Sequence, residues 1–439
     1  MEWPALFHAG RFPGLEPRLA TGRNPFQIDQ DRIVFSRPFR RLQQKTQVHP
    51  LISNPHVRNR LLHTLEVASI GRSLGFAVGS ELRGELAAAG QTPDDLGYLV
   101  QAVCLAHDIG NPPFGHAGEE VIADFMAGWL AGPGAASGLE LDADLACFDG
   151  NAQGFRILTA ADGYRERGGL QLTFASLAAF IKYPWSGQDP RAARDGRPGV
   201  KFNAFATEAA AFAAVTDRCG LAGPLPRHPA VWLMEAADDI TYGLADLEDA
   251  VELQILSYDQ YEQLVLPVAR IDRARLQAED SVPQKLALLR SRAAGQMIGA
   301  LKTCFLEHRA AILAGGMPLR KGLLDLCGGE LPKAFDAIRR TNREVLYLHA
   351  RKVEFEIGAR DTLEKTLTVF LEACLAYAQS PDKDIARMKL RPRQALSLMQ
   401  DYHPRPAMTA SETIRCAVDF VAGMTDNYAA TLAARLRGL

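Results

Sequence analysis

AVCLAHDIGNPPFGHAGEE, residues 102–120, decides how this chain is read. An apolar helical run ends in a histidine and a carboxylate side by side, His107 and Asp108. A Gly/Pro-broken loop then delivers a second histidine, His116. Imidazole and carboxylate together suit a divalent transition metal or a Mg²⁺-like ion. One pair cannot fill a coordination sphere, so further ligands must come from elsewhere. Two candidates stand in similar apolar helical settings: His63 in RNRLLHTLEVA and the acidic pair Asp238–Asp239 in MEAADDITYGLADLED (234–249). A lone histidine on an apolar face is ordinary core material, and weight falls on the set as a whole.

Outward from this stretch the chain reads as helix. Apolar residues recur with helical period over 59–78, 98–107, 173–183, 203–218, 229–257, 283–313, 332–379, 384–401 and 410–437, rich in alanine and leucine and nearly free of alternating β-branched runs. Pro229 fits the first turn of a helix. Residues 1–30, rich in Pro, Gly and Arg, read as an irregular arm, and 128–144 and 184–200 read as loops. The expected fold is all-α, one contiguous unit: a metal-binding core over 31–282 and additional C-terminal helices over 283–439 packed on it.

Bulk properties exclude more than they select. The chain has 439 residues, 47% of them hydrophobic and 23% charged, which fits neither a disordered nor a fibrous protein. A formal net charge of −2 supplies no global drive toward nucleic acid or an anionic membrane, so a nucleotide enzyme would have to gather its cations locally. The seven cysteines are scattered without a CxxC pair, and no zinc ribbon or disulfide framework is expected. No signal peptide or membrane-length apolar run is read, and a cytoplasmic location is the expectation.

Helical geometry separates the two aspartates. Positions four and eight along drift by roughly 40° and 80° and rise by about 6 and 12 Å. From Asp238 these are Tyr242 and Asp246, a stripe of carboxylate, phenol and carboxylate; from Asp239 they are Gly243 and Leu247, without chemistry. Asp238 is therefore the expected ligand. His63, His107, Asp108 and Asp238 would leave one or two positions for water and a phosphate oxygen. That suits an ion of flexible coordination (Mn²⁺, Mg²⁺, Co²⁺ or Fe²⁺) better than a closed tetrahedral zinc site. His116 is the best available acid/base, with Glu119 one turn on to fix its tautomer.

The order His…His-Asp…Asp resembles the ligand order of the HD superfamily of metal-dependent phosphohydrolases. RIVFSRPFRRLQQKTQVHPL (32–51), FDGNAQGFRIL (148–158), MEAADDITYGLADLED and AGMTDNYA (422–429) resemble the deoxyguanosine triphosphate triphosphohydrolase (dGTPase-like) family, from about residue 23 to 430. The resemblance implies an HD-domain helical core and hydrolysis of a deoxynucleoside triphosphate at the α-phosphorus to a deoxynucleoside and inorganic triphosphate. It also implies that Asp238 ligates the metal and that His116 and Glu119 are the catalytic pair. Gln47 and Val48 would read the deoxyribose 3′-hydroxyl, with Tyr242 and Asp246 as further sugar-side residues. Asn151, Lys182 and Lys201 fall in blocks that contact substrate, whereas Arg60 is a phosphate candidate by proximity to the metal helix alone. Arg415 is a further, looser phosphate candidate. A homo-oligomer such as a hexamer and a nucleotide effector follow from the same resemblance. His49, beside the sugar-reading pair, leaves open a substrate range broader than dGTP.

Other readings are a phosphohydrolase acting on an alarmone or a cyclic dinucleotide, or a non-catalytic nucleotide or single-stranded nucleic-acid binder. The chain lacks the GYP motif of the cyclic-dinucleotide class and has no room for an alarmone synthetase region. The basic RPFRRLQQK (37–45) keeps single-strand binding open as a second activity.

Overall fold

A computed structural model describes residues 1–14, 22–47, 54, 56–161, 169–193, 199, 201–346 and 350–438. Among them there are helices and turns, three isolated β-bridges, and no strand. The all-α expectation holds. The helices that position the site are α1 (Pro25–Val34), α2 (Arg60–Glu81), α3 (Pro93–Ala106), α4 (Gly115–Trp129), α5 (Gly150–Arg156), α6 (Pro229–Glu252), α7 (Val282–Leu313), α8 (Glu330–Thr341), α9 (Ala350–Ala378), α10 (Ala410–Ala422) and α11 (Asp426–Leu436).

Their starts follow from local chemistry. The Asn59 side chain accepts from Leu62 N at the head of α2. Thr92 and Asp95 form a reciprocal capping box at α3, as do Ser281 with Gln284 at α7 and Thr409 with Glu412 at α10. Pro229 stands in the first turn of α6, where its missing N–H costs nothing.

The central pair is α2 on α3, and its close approach comes from glycine. A Cβ at Gly75 would lie 3.0 Å from Gly97 Cα, and one at Gly79 would lie 2.9 Å from Pro93 Cα. Only a bare backbone permits these contacts. The pairing carries His63, near the start of α2, toward His107 at the end of α3, and α6 packs on both. One hydrophobic cluster runs from Trp3 to Leu432, so helices before and after residue 282 share it.

Several local expectations are corrected. Residues 1–30 are not wholly irregular: Trp3–Leu6 form a helical turn with Leu6 and Phe7 buried, and α1 begins at Pro25, capped by Asn24. The helix expected over 332–379 divides into α8, a wide turn at Asn342–Leu346, and α9. The one over 410–437 divides at Gly423, because the Thr425 side chain caps a new helix through Tyr428 N. The stretch expected as a loop from 128 keeps helical form through Trp129 and a wide turn at Leu130–Gly134.

Candidate metal centre and flanking cavities

α3 ends at Ala106, and the turn that follows presents both His107 and Asp108 at its end. His107 Nδ1 donates to the Cys104 carbonyl at 2.6 Å, which leaves Nε2 as the ring's lone pair. That nitrogen lies 3.5 Å from Asp108 Oδ2 and 3.7 Å from Asp238 Oδ1. His63 Nε2 is 3.0 Å from Asp238 Oδ1. One donor atom each of His63, His107 and Asp108 lies within 4.8 Å of the others. An imidazole lone pair facing two carboxylates is repulsive unless positive charge stands between them, so this donor set fits a divalent cation. Asp239 does not line the cleft shared by His63, Asp108 and Asp238; burial pushes its carboxyl up to about 7, opposed by the Arg339 charge.

The neighbours hold these groups ionised. Asp108 accepts from Arg60 Nη1 at 2.5 Å and from Asn111 Nδ2 at 2.6 Å. Burial raises its pKa, but the Arg60 charge and hydrogen bond hold it below the usual carboxylate range. Asp238 is likewise lowered: burial is offset by the His63 hydrogen bond.

His116, on the first turn of α4, has a side chain 81% exposed, open to proton exchange with solvent. Its Nδ1 is 2.9 Å from Glu119 Oε2, and Glu119 also accepts from Gly150 N at 3.1 Å. Burial raises the Glu119 carboxyl; His116, Lys201 and these hydrogen bonds more than offset it and bring it to about 2. An anionic Glu119 keeps the imidazole hydrogen on Nδ1 and leaves Nε2 free.

Two cavities meet at Asp238. A cleft of about 720 Å³ empty volume is lined by Gln47, Arg60, His63, Asp108, His116 and Tyr242, with Phe355 at its wall. The Tyr242 ring stands edge-on to His63 with centroids 6.4 Å apart. Gln47 Oε1 and Arg60 Nε are buried there without partners among the described residues. Asp246 lies deeper, buried at 2% exposure, and its charge acts on His63. On the other side of Asp238 is a cavity of about 1330 Å³ lined with cations, among them Lys182 and Lys201.

Lys182 lies 3.4 Å from Glu235, and Lys201 lies 3.5 Å from Asp149 and 3.8 Å from Glu119. Asn151 is held to Asp149 at 2.7 Å and lines neither cavity. Val48 falls outside the described residues. Arg415 does not reach a phosphate site: it is 1% exposed, paired with Asp144 at 3.1 Å and stacked 3.9 Å over Phe205. In the basic 37–45 stretch, Arg37 pairs with Asp401, Arg41 donates to the Tyr402 hydroxyl and Lys45 is buried.

Two supporting residues escaped the sequence reading. Lys45 donates to the carbonyls of Asn111 at 2.5 Å and Ala422 at 2.9 Å. Burial, then the Arg41 charge, brings its ammonium down to about 7. Asp426, buried at 2% exposure, accepts from Thr46 N at 2.8 Å and Phe114 N at 3.0 Å. Phe114 has φ +67°, a backbone state costly for a large side chain, and Asp426 ties its amide in place. Neither role leaves a mark in local sequence, because each joins segments more than 300 residues apart or folds around a turn.

No family model matches the chain. A deoxyguanosinetriphosphate triphosphohydrolase-like protein of Pseudomonas aeruginosa is 39% identical over 100% of this chain and 99% of its own length. The chain belongs to the deoxyguanosinetriphosphate triphosphohydrolase-like family. A family member of the same description from Synechocystis is 37% identical over 95% of this chain and 94% of its own. The deoxyguanosinetriphosphate triphosphohydrolase of Salmonella paratyphi A is 29% identical over 92% of each. No helix among the described residues is long and apolar enough to cross a membrane.

Proposed function

We propose that this protein hydrolyses deoxynucleoside triphosphates at the α-phosphorus, releasing deoxynucleoside and inorganic triphosphate. One observation carries the reading: the His63, His107, Asp108 and Asp238 donors lie where a cleft bearing Gln47 and Tyr242 meets a cavity bearing Lys182 and Lys201. A nucleoside in the cleft and a triphosphate among the cations would put the scissile bond beside Asp238. A divalent ion held by the four ligands would neutralise phosphoryl charge there.

The chain's own groups do the rest. Water's oxygen bonds to Pα, the Pα–O5′ bond breaks, and O5′ takes a proton. His116 Nε2, with Nδ1 held by Glu119, moves the proton at these oxygens. Gln47 has both an acceptor and donors for a sugar hydroxyl, its Oε1 being unpaired, and Val48 is proposed beside it. Tyr242 packs against the sugar and leaves a ribose 2′-hydroxyl without room or partner, with Asp246 behind it. Arg60, Lys182 and Lys201 meet the phosphates, and Asn151 is proposed to act with Lys201 through Asp149. The same reading includes Mn²⁺, Mg²⁺, Co²⁺ or Fe²⁺ as the ion, a homo-oligomer and a nucleotide effector.

Incubation with each of the eight common ribo- and deoxyribonucleoside triphosphates plus Mn²⁺ or Mg²⁺, followed by product separation, tests it. Deoxynucleoside plus inorganic triphosphate is the expected pair. Orthophosphate or pyrophosphate as the inorganic product would overturn the reading.

A further inference from the structure

The cation-lined cavity carries more positive side chains than the two lysines assigned to the substrate. Its wall carries Lys182, Arg191, Lys201, Arg227, Arg320, Lys321 and Arg339, seven cations, against the four carboxylates Glu235, Asp238, Asp239 and Asp325.

The inner cations already face carboxylates. Lys182 and Arg227 share Glu235, Lys201 faces Asp149 and Glu119, and Arg339 pairs with Asp325 at 3.0 Å. Arg191, toward the rim, is paired with Asp189 at 2.7 Å. Arg320 and Lys321 differ. Arg320 donates to a neutral group, the Ala193 carbonyl, and Lys321 has no ion pair among the described residues. Two adjacent cations without an ion pair among the described residues, at the edge of an already basic cavity, form an attractive site for further anionic charge. Buried Arg227 also keeps its Nε without a partner among the described residues.

We propose that this cavity accepts a linear phosphoanhydride chain longer than triphosphate, with Arg320 and Lys321 engaging the phosphoryl groups beyond the third. The proposal rests on the phosphate-side reading given under Proposed function. Two sources share the chemistry: inorganic polyphosphate, and a deoxynucleoside 5′-tetraphosphate. The first enters from the cavity alone, whereas the second also needs the Gln47–Tyr242 cleft.

Calorimetric titration of the full-length protein in excess Mg²⁺ tests it, using inorganic triphosphate, a longer linear polyphosphate and deoxyguanosine 5′-tetraphosphate. The longer polyphosphate should bind on the order of threefold to tenfold more tightly than triphosphate, with an advantage that shrinks as salt rises. Arg320→Glu with Lys321→Glu should abolish that advantage and leave triphosphate affinity within about twofold. Both side chains are at the surface, and Lys321→Gln alone gives a milder check that needs no charge reversal. Equal affinity for the two inorganic chains overturns the proposal, as does a double variant that weakens triphosphate and polyphosphate alike. If only the tetraphosphate gains, the extended site requires the nucleoside and the inorganic-chain assignment fails. Product analysis on deoxynucleoside triphosphates is a separate measurement, so failure of the hydrolase reading would be seen independently of these affinities.

Discussion

Asp426→Asn probes the link between the C-terminal helices and the metal centre. The native carboxylate accepts two backbone amides, Thr46 N at 2.8 Å and Phe114 N at 3.0 Å, at 2% exposure. Asparagine keeps one acceptor oxygen and turns an NH₂ group toward the other amide. One hydrogen bond to a charged group is lost, about 1.5–3 kcal/mol, and a buried donor is stranded, for a total of about 2–4 kcal/mol. Scaled to a chain of this length, the Tm should fall by roughly 2–4 °C. The effect should also reach activity, because Gln47 follows Thr46 directly and His116 stands two residues after Phe114. Displacement of either by a fraction of an ångström to 1 Å should lower kcat/KM on a deoxynucleoside triphosphate by about 10- to 100-fold, measured well below the variant's Tm. Bound metal should be retained, since Asp108 is oriented by Arg60 and Asn111. Unchanged kcat/KM in a correctly folded variant would refute this coupling.

His116→Ala should keep metal and nucleotide binding while turnover falls by about 10²–10⁴-fold; a parallel loss of metal would make His116 a ligand instead. Asp238→Asn should weaken Mn²⁺ binding, read by competition with a chelator, by at least about tenfold, whereas Asp239→Asn should leave it near wild type; the reverse order would refute the ligand choice. Tyr242→Ala should relax discrimination between dGTP and GTP by about 1–3 kcal/mol in kcat/KM, and an equal drop for both nucleotides would reduce Tyr242 to a packing residue. His228, fully buried, accepts from Ala230 N through Nδ1 and donates to the Leu6 carbonyl through Nε2. Burial lowers its pKa to about 4, the Leu6 bond opposing. The unfolded chain, titrating near 6.5, binds a proton that the native state refuses. Stability is thus complete above about pH 6.5 and falls by up to ~3 kcal/mol as pH drops toward 4. Urea melts of the wild type and His228→Asn at pH 7 and 4.5 should differ in pH slope; identical slopes would discount the histidine.

The sequence by itself determined the all-α class and the family, because both are written in short-range signals. Helical periodicity, capping pairs such as Thr92–Asp95, Pro229 at a helix start and the motif blocks need only neighbouring residues to be read. Helical geometry likewise distinguished the Asp238–Tyr242–Asp246 stripe from that of Asp239 as a basis for the site proposal. Helix interruptions were less legible: the break at Gly423 depends on Thr425 capping a new helix, within a run whose apolar period continues.

Only the tertiary structure decided which polar groups meet. Arg415 resembled a phosphate ligand in sequence, yet it is sequestered by Asp144 and Phe205, because a buried cation is stable only where the fold brings it a counter-charge. Lys45 and Asp426 looked like ordinary charges and became the clamps around the Asn111–Phe114 turn. The glycine face of α2 fixed how near α3 can come, and with it the distance between His63 and His107. These contacts depend on separations of a few ångströms between segments far apart in the chain, and no local pattern specifies such distances.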